Sequence, residues 1–363
     1  MHLRETLPRP MLDQATASPS GTGDSASSTL QAGSAAKRLA WLDAAKGMGI
    51  ILVVYGHQLR AQMTSGAIDP SWHAPLQDAL IYAFHMPLFF FIAGLTVERT
   101  FNKATARQFV TSRLVSLMYP YFLWSLVSLA LAMAGHRFVN HQVGVDDVVA
   151  IAWRPVFQYW FLYALFVCQM LAFIVGMRHV VLTLITVAAL TIPLDARNPV
   201  LIESMICFPF FATGILLSRK VIKSADGFAH GQLATCGVVS AAAFVALFFV
   251  RSAFHIDHTL FKFALAACGI AAVLALAIVL GGRSRLLVLL GATSMSIFVL
   301  HTIVQTAIRS GLNLLPWFND NIIQLVCCVI GGVAVPIGIQ RVLSIVGIGR
   351  QLGLSGPNYR RRA

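Results

Sequence analysis

Trp41-Leu42-Asp43-Ala44-Ala45-Lys46-Gly47-Met48-Gly49-Ile50-Ile51-Leu52-Val53-Val54-Tyr55-Gly56-His57 is the stretch that decides the fold class. It opens as a charged turn, becomes an apolar run suited to a bilayer, and ends by placing an imidazole deep in that run. An ionisable group at such depth is costly and marks a functional position. On a helix, the eleven-residue step from Lys46 to His57 leaves the two side chains about 20° apart in rotation and roughly 16 Å apart along the axis. They share one face, so a cation near one membrane surface and a proton acceptor near mid-depth lie on a single stripe.

The rest of the chain agrees with a membrane setting. Of its 363 residues, 57% are apolar and 11% charged, and the mean hydropathy is +0.75. Soluble domains carry about a quarter of their residues as charges, so the fold class expected is an all-α polytopic integral membrane bundle. The apolar runs number about ten, with cores at Ala44 to Met63, Ala79 to Val97, Leu114 to Ala134, Trp160 to Met177, Val180 to Pro193, Val200 to Leu217, Gln232 to Val250, Phe261 to Gly281, Leu286 to Ile308 and Asn321 to Val346. Each is judged against the ~20 residues that a helix needs to span the hydrocarbon. The fifth is short and the last long. Residues 1–36, rich in Ser, Ala, Gly and Thr, read as a disordered cytoplasmic tail without a signal sequence. Residues 37–349 form the membrane domain, and 350–363 a basic cytoplasmic tail.

The net charge of +13 resides in the loops and reads as a topology signal, not a nucleic-acid surface. With the amino terminus inside, the inner face takes clusters such as Arg99, Lys103, Arg107 and Arg113, then Arg219, Lys220 and Lys223, and at the end Arg360 to Arg362. The outer loops take only Arg137, Arg154, Arg197, Arg251 and Arg309. Both termini are therefore expected in the cytoplasm, and the alternation requires an even number of spans. Six cysteines lie in or beside apolar runs without a CxxC pair, which indicates neither a zinc site nor a disulfide framework.

Four ionisable residues on four separate spans fall in one layer when depth is counted at 1.5 Å per residue: His57, His85, Glu203 and His301. Intramembrane groups of this kind face a bundle interior or a wet cavity, and a shared polar chamber is the economical reading. Each histidine taken alone could instead be a packed residue bonded to a neighbouring carbonyl. Below the chamber, Lys46, Arg107 and Arg113 stand at the inner ends of the first and third spans, where charge-assisted hydrogen bonds would grip phosphates. Asp43 is placed to pair with Lys46 or to cap the helix. Pro87, two residues after His85, should kink the second span and free a carbonyl there. His255-Ile256-Asp257-His258 resembles a metal cluster but has no third ligand at fixed spacing, so no metal is expected.

These residues together resemble the integral-membrane acyltransferase-3 family. The resemblance is carried by Trp41-Leu42-Asp43-x-x-Lys46-Gly47, by Gly56-His57, and by Phe84-His85-Met86-Pro87-Leu88-Phe89-Phe90-Phe91-Ile92-x-Gly94. Arg113 with Tyr119-Pro120-Tyr121-Phe122, Trp160-Phe161-Leu162, and the run from Gly291 to His301 extend it over Leu39 to Val346. The nearest pattern is that of the sugar O-acetylases related to fucose acetylase, including xanthan-type exopolysaccharide acetyltransferases. The resemblance implies ten spans in a bacterial inner membrane, acetyl-CoA as cytoplasmic donor, and as acceptor a sugar hydroxyl of an exopolysaccharide or its lipid-linked oligosaccharide. By position, Lys46 and Arg113 would handle the donor. His57 would be the essential histidine, acting as general base or as a covalent acyl carrier, with Glu203 or His85 orienting the ring or the acceptor. The family often has a second arginine where this chain has Ser116, which shifts donor binding toward Arg107. Ala93 stands where Ser is common. The competing reading is a proton-coupled transporter or flippase for a polysaccharide precursor, in which the buried His and Glu form a relay. A non-catalytic assembly subunit is a third.

Overall fold

The computed structural model describes residues 23–68, 73–134, 145–191, 199–227, 230–280, 283–315 and 320–354. The chain divides into two compact units, Met1–Lys37 and Arg38–Ala363.

Its described elements are all helical. Helix α1 is Gly23–Thr64, α2 Ala74–Tyr82, α3 His85–Phe101, α4 Ala106–Arg113 and α5 Tyr119–Ala134. The short α6 (Val145–Ala150) precedes α7 (Trp160–Ile174), α8 (His179–Thr191) and α9 (Pro199–Gly227). Then come α10 (His230–Ala253), α11 (Thr259–Leu280), α12 (Arg285–Ala292), α13 (Ser294–Leu312) and α14 (Asn321–Val346). Seven stretches among the described residues are long and apolar enough to cross a bilayer, and the bent pair α12–α13 makes an eighth if counted as one span. The fold is thus an all-α polytopic bundle. The first run is a helix whose polar residues dilute its apolar character, and the fifth, α8, is short.

Two departures from straight spans shape the centre. In the second run the helix breaks at Ala83 and Phe84, between α2 and α3. Pro87 lacks the N–H that would have bonded the carbonyl of Ala83. His85 lies at the break, and its Nδ1 donates to the Ile81 carbonyl at 2.8 Å. In the ninth run, α12 and α13 meet at 79°. Thr293 sits at the corner, its hydroxyl donating to the carbonyl of Leu289 at 2.8 Å. A depth ruler drawn from Leu286 through a straight helix therefore does not apply to His301, whose position is set by α13 alone.

Small residues set how closely the pieces approach. A Cβ on Gly94 would lie 2.0 Å from the Phe211 carbonyl oxygen, so α3 and α9 pack backbone to backbone. A Cβ on Gly291 would lie 1.7 Å from the Asp43 carbonyl oxygen, which presses α12 onto the turn of α1 that carries Asp43 and Lys46. The motif that opens the first run and the glycine of the ninth are thereby one contact. The segment after α14 folds back onto the bundle, where the Leu354 carbonyl accepts from Ser296 at 3.2 Å and from Gln340 at 3.2 Å. Trp124 donates to Leu352 at 3.0 Å.

Candidate active site

Helix α13 is bonded to α1 on either side of His57. Gln305 Nε2 donates to the Val54 carbonyl at 2.9 Å, and Arg309 Nη1 donates to the Ala61 carbonyl at 3.2 Å. Beside these clamps the rings of His57 and His301 lie with centroids 5.2 Å apart and planes tilted by 60°. His301 is fully buried. Its Nδ1 lies 3.0 Å from the Ile297 carbonyl and 2.8 Å from that of Phe298, an arrangement that assigns the proton to Nδ1. Nε2 is then an unprotonated acceptor, and it is buried with no partner among the described residues. Unpaired buried polar atoms are rare and call for a ligand, a water or a catalytic role. His57 is half-buried.

A cavity of about 510 Å³ opens beside His57. Its polar wall includes Gln58, Ser128, Gln158, Thr302 and Arg309, and its apolar wall includes Leu131 and Phe157. The wall is held by bonds between distant parts of the chain. Gln158 Nε2 donates to Thr302 Oγ1 at 2.7 Å, and Tyr159 Oη donates to the Val299 carbonyl at 3.0 Å while lying 2.8 Å from Ser128 Oγ. Gln58 is buried, and its Nε2 has no partner among the described residues. The cavity runs from His57 to Ala61 on α1 and from Thr302 to Ser310 on α13, so it lies on the side of His57 away from Lys46.

On the other flank of His57 stands Tyr82, at 6.4 Å between centroids, with its ring 4.5 Å from that of His85. The Arg60 guanidinium lies 3.0 Å from the centre of the Tyr82 ring and forms a two-pronged ion pair with Asp78 at 2.7 and 3.0 Å. Cation–π attraction and the bidentate pair together fix the ring. Tyr55 and Gln77 are also hydrogen-bonded, which ties α2 to α1.

Of the residues expected from sequence, His57 and His301 meet directly, and His85 joins them through Tyr82. Glu203 lies on α9, but its side chain falls outside the described residues. Lys46 Nζ is 2.6 Å from Asp43, the pairing expected from their spacing. Arg113 is half-buried at the start of a π-helical turn, Leu114–Met118, that precedes Pro120. Its guanidinium lies 5.0 Å from the Phe109 ring, and its Nε is buried without a partner among the described residues. Arg107 is exposed on α4. Arg60, Asp78, Tyr82, Gln58 and Arg309 were not singled out as site residues by the sequence reading. An exposed arginine two residues before Gln62 carries no periodic signal, although the aromatic Tyr82 so near His85 was a usable cue. The loop at 255–258 spends its carboxylate on ion pairs, Asp257 lying 2.5 Å from Lys262 and 3.5 Å from Arg251. Among the described residues no three metal-binding side chains converge.

Comparison with known proteins bears on what this geometry serves. Residues 39–341 match the acyltransferase-3 family model, described as an acyltransferase domain. Nodulation protein NolL of Sinorhizobium fredii (strain NBRC 101917 / NGR234) is 29% identical over 196 residues, which cover 51% of this chain and 50% of that protein. Nodulation protein NolL of Mesorhizobium japonicum (strain LMG 29417 / CECT 9101 / MAFF 303099) is 26% identical over 183 residues, covering 49% of this chain and 48% of the relative. The chain thus spans about half the length of the curated relatives it matches. No solved structure matches it. The matched region takes in the α1 motif, both imidazoles and the residues of the cavity wall, and the chain belongs to the acyltransferase-3 family.

Proposed function

We propose that this chain is a membrane-bound O-acetyltransferase that moves an acetyl group from acetyl-CoA to a sugar hydroxyl of an exopolysaccharide or of its lipid-linked repeat unit. It would act in a bacterial inner membrane with both termini cytoplasmic. The observation that carries the reading is His57, paired with the buried His301, at the wall of a cavity lined by hydrogen-bonding side chains. Family membership supports acyl transfer as the chemistry.

In this reading the acceptor sugar occupies the cavity, and its hydroxyl is presented to His57. The imidazole takes the hydroxyl proton as the oxygen attacks the thioester carbonyl. The carbon–sulfur bond then breaks, and the departing thiolate receives that proton from the imidazolium. Such transfer contributes about 10²- to 10⁴-fold to rate. His301, with its proton fixed on Nδ1, offers Nε2 to the same region and holds the partner ring or a bridging water. Gln58 Nε2, an unpaired donor in the cavity wall, is suited to the oxygen that becomes negative during attack. Lys46, Arg113 and Arg107 hold the phosphates of the donor from the basic end of α1. The unpartnered Nε of Arg113 supports that role.

The test is made on the purified chain in lipid nanodiscs with acetyl-CoA and extracted polysaccharide precursor. Release of free thiol in step with ester formed on the glycan is expected. Absence of both, with the protein folded, would refute the proposal.

A further inference from the structure

The imidazole of His57 has no hydrogen-bonded orienter among the described residues. What lies against it is two other rings, His301 at 5.2 Å and Tyr82 at 6.4 Å between centroids. An imidazole that must keep one nitrogen toward a substrate is ordinarily held by a carboxylate or carbonyl on the other nitrogen. Here the surroundings can hold it only by shape. The Tyr82 contact is edge-on, with 70° between the planes, a favoured arrangement for aromatic pairs.

Tyr82 is itself fixed on several sides. Its ring fills the space left by Gly56: a Cβ there would lie 3.1 Å from Tyr82 Cε2 and 3.4 Å from Ile81 Cγ2, inside the ~3.5–4.0 Å of a normal carbon–carbon contact. The Gly56-His57 pair of the opening motif thereby acquires a physical reason, since a side chain before His57 would push away the ring that rests on His57. Arg60, three residues after His57, covers the face of the Tyr82 ring, and its fork is bonded to Asp78, four residues before Tyr82. His57 with Arg60, and Asp78 with Tyr82, are thus one-turn pairs on two helices that interlock. Because the second run breaks at Ala83 and Phe84, α2 is not a rigid extension of α3. These contacts, with the Tyr55–Gln77 bond and the His85 ring at 4.5 Å, set where Tyr82 stands. The Tyr82 hydroxyl is buried with no partner among the described residues, so the ring makes the contact.

We propose that Tyr82 is a positioning residue for the reaction: its ring, clamped by Arg60 and Asp78, holds the imidazole of His57 in the orientation that serves the acceptor hydroxyl. This rests on the acetyl-transfer reading above and adds the element that orients the base. A misplacement of about 1 Å in a reacting group costs about 10²-fold in rate. Loosening the ring therefore acts on kcat and leaves the donor site, at the Lys46 end of α1, unchanged.

Two measurements are made on the full chain in lipid nanodiscs, with Tyr82→Leu, Tyr82→Phe, Asp78→Asn and the double variant that joins Asp78→Asn to Tyr82→Leu. The first is NMR of ring-labelled carbon-13 histidine without any substrate, the His57 signal being the one that His57→Ala removes. Tyr82→Leu should move that signal, Tyr82→Phe should return it toward its wild-type place, and Asp78→Asn should move it in the same direction as Tyr82→Leu. The second is acetyl-CoA turnover, in which Tyr82→Leu should lower kcat about 10- to 100-fold, with the KM for acetyl-CoA changed less than about twofold. Tyr82→Phe should recover most of that loss. Asp78→Asn should lower kcat less than Tyr82→Leu does and add nothing to it in the double variant, since it acts through the ring. A His57 signal indifferent to Tyr82→Leu and to Asp78→Asn would overturn the inference. So would a Tyr82→Phe chain as impaired as Tyr82→Leu, which would put the hydroxyl in the reaction, or a raised KM with kcat unchanged. Should Tyr82→Leu fail to fold, Asp78→Asn decides: its His57 signal moves, or the inference fails. The expected signal changes in a chain whose wild type releases no thiol from acetyl-CoA would keep the hold of Tyr82 on His57 and remove acetyl transfer.

Discussion

The backbone on either side of His57 is hydrogen-bonded to a helix far away in the sequence, whereas Lys46, at the other end of the same run, is paired with a residue of its own turn. Val54 and Ala61 receive Gln305 and Arg309 from a helix some 250 positions later, as the sequence separations of 251 and 248 state. Lys46 is held by Asp43, three residues before it, and Arg113 lies against Phe109, four residues before it. One region is assembled before any substrate arrives. The other presents separate cations whose common purpose would be supplied by a flexible polyphosphate. A reacting group must be positioned within fractions of an ångström, but charge attraction to phosphates tolerates a looser frame.

Substitutions test that contrast in descending order. His57→Ala should lower acetyl transfer by about 10²- to 10⁴-fold, the range of a lost general base, while the size-exclusion profile of the purified protein stays unchanged. A near-normal rate would break the contrast at its strongest point. His301→Ala should cost roughly ten- to a hundredfold in kcat, because it removes a neighbour of the base and not the base. The contact survives in His301→Gln only as a hydrogen-bonding group, and an intermediate rate is expected from that variant. Arg113→Met should raise the KM for acetyl-CoA about tenfold with a smaller change in kcat, as loss of one charge-assisted bond of about 1.5 kcal/mol would do. An effect on kcat alone would move Arg113 from donor binding into packing. Arg107→Ala, at an exposed position, should change KM by less than about threefold, in line with the ~0–1 kcal/mol of solvated ion pairs.

Much of the bundle could be read from hydropathy because membrane spans impose long apolar runs. The bends could not. The 79° corner at Thr293 lies inside a run without a proline, among the small and polar residues Gly291, Thr293 and Ser294, next to the close packing of α12 on the Asp43 turn. By contrast the break before α3 was legible, since Pro87 announces it. His57 was legible because its cost in lipid is visible without any partner. Its pairing with His301 was suggested by shared depth, although the depth of His301 had been measured along a helix that is not straight. Arg60, Asp78 and Tyr82 escaped notice because their value comes from a contact between the end of one helix and the start of the next. Arg309 was read as a loop cation, and the structure places it in α13 on the cavity wall.

The most direct test of the division at His57 is sidedness in sealed vesicles of known orientation, with acetyl-CoA confined to one compartment and a membrane-impermeant saccharide acceptor to the other. The account predicts ester formation when acetyl-CoA faces the Lys46 end of α1 and the acceptor faces the cavity, and none with the compartments exchanged. Equal transfer in both arrangements, or transfer only in the reversed one, would contradict it.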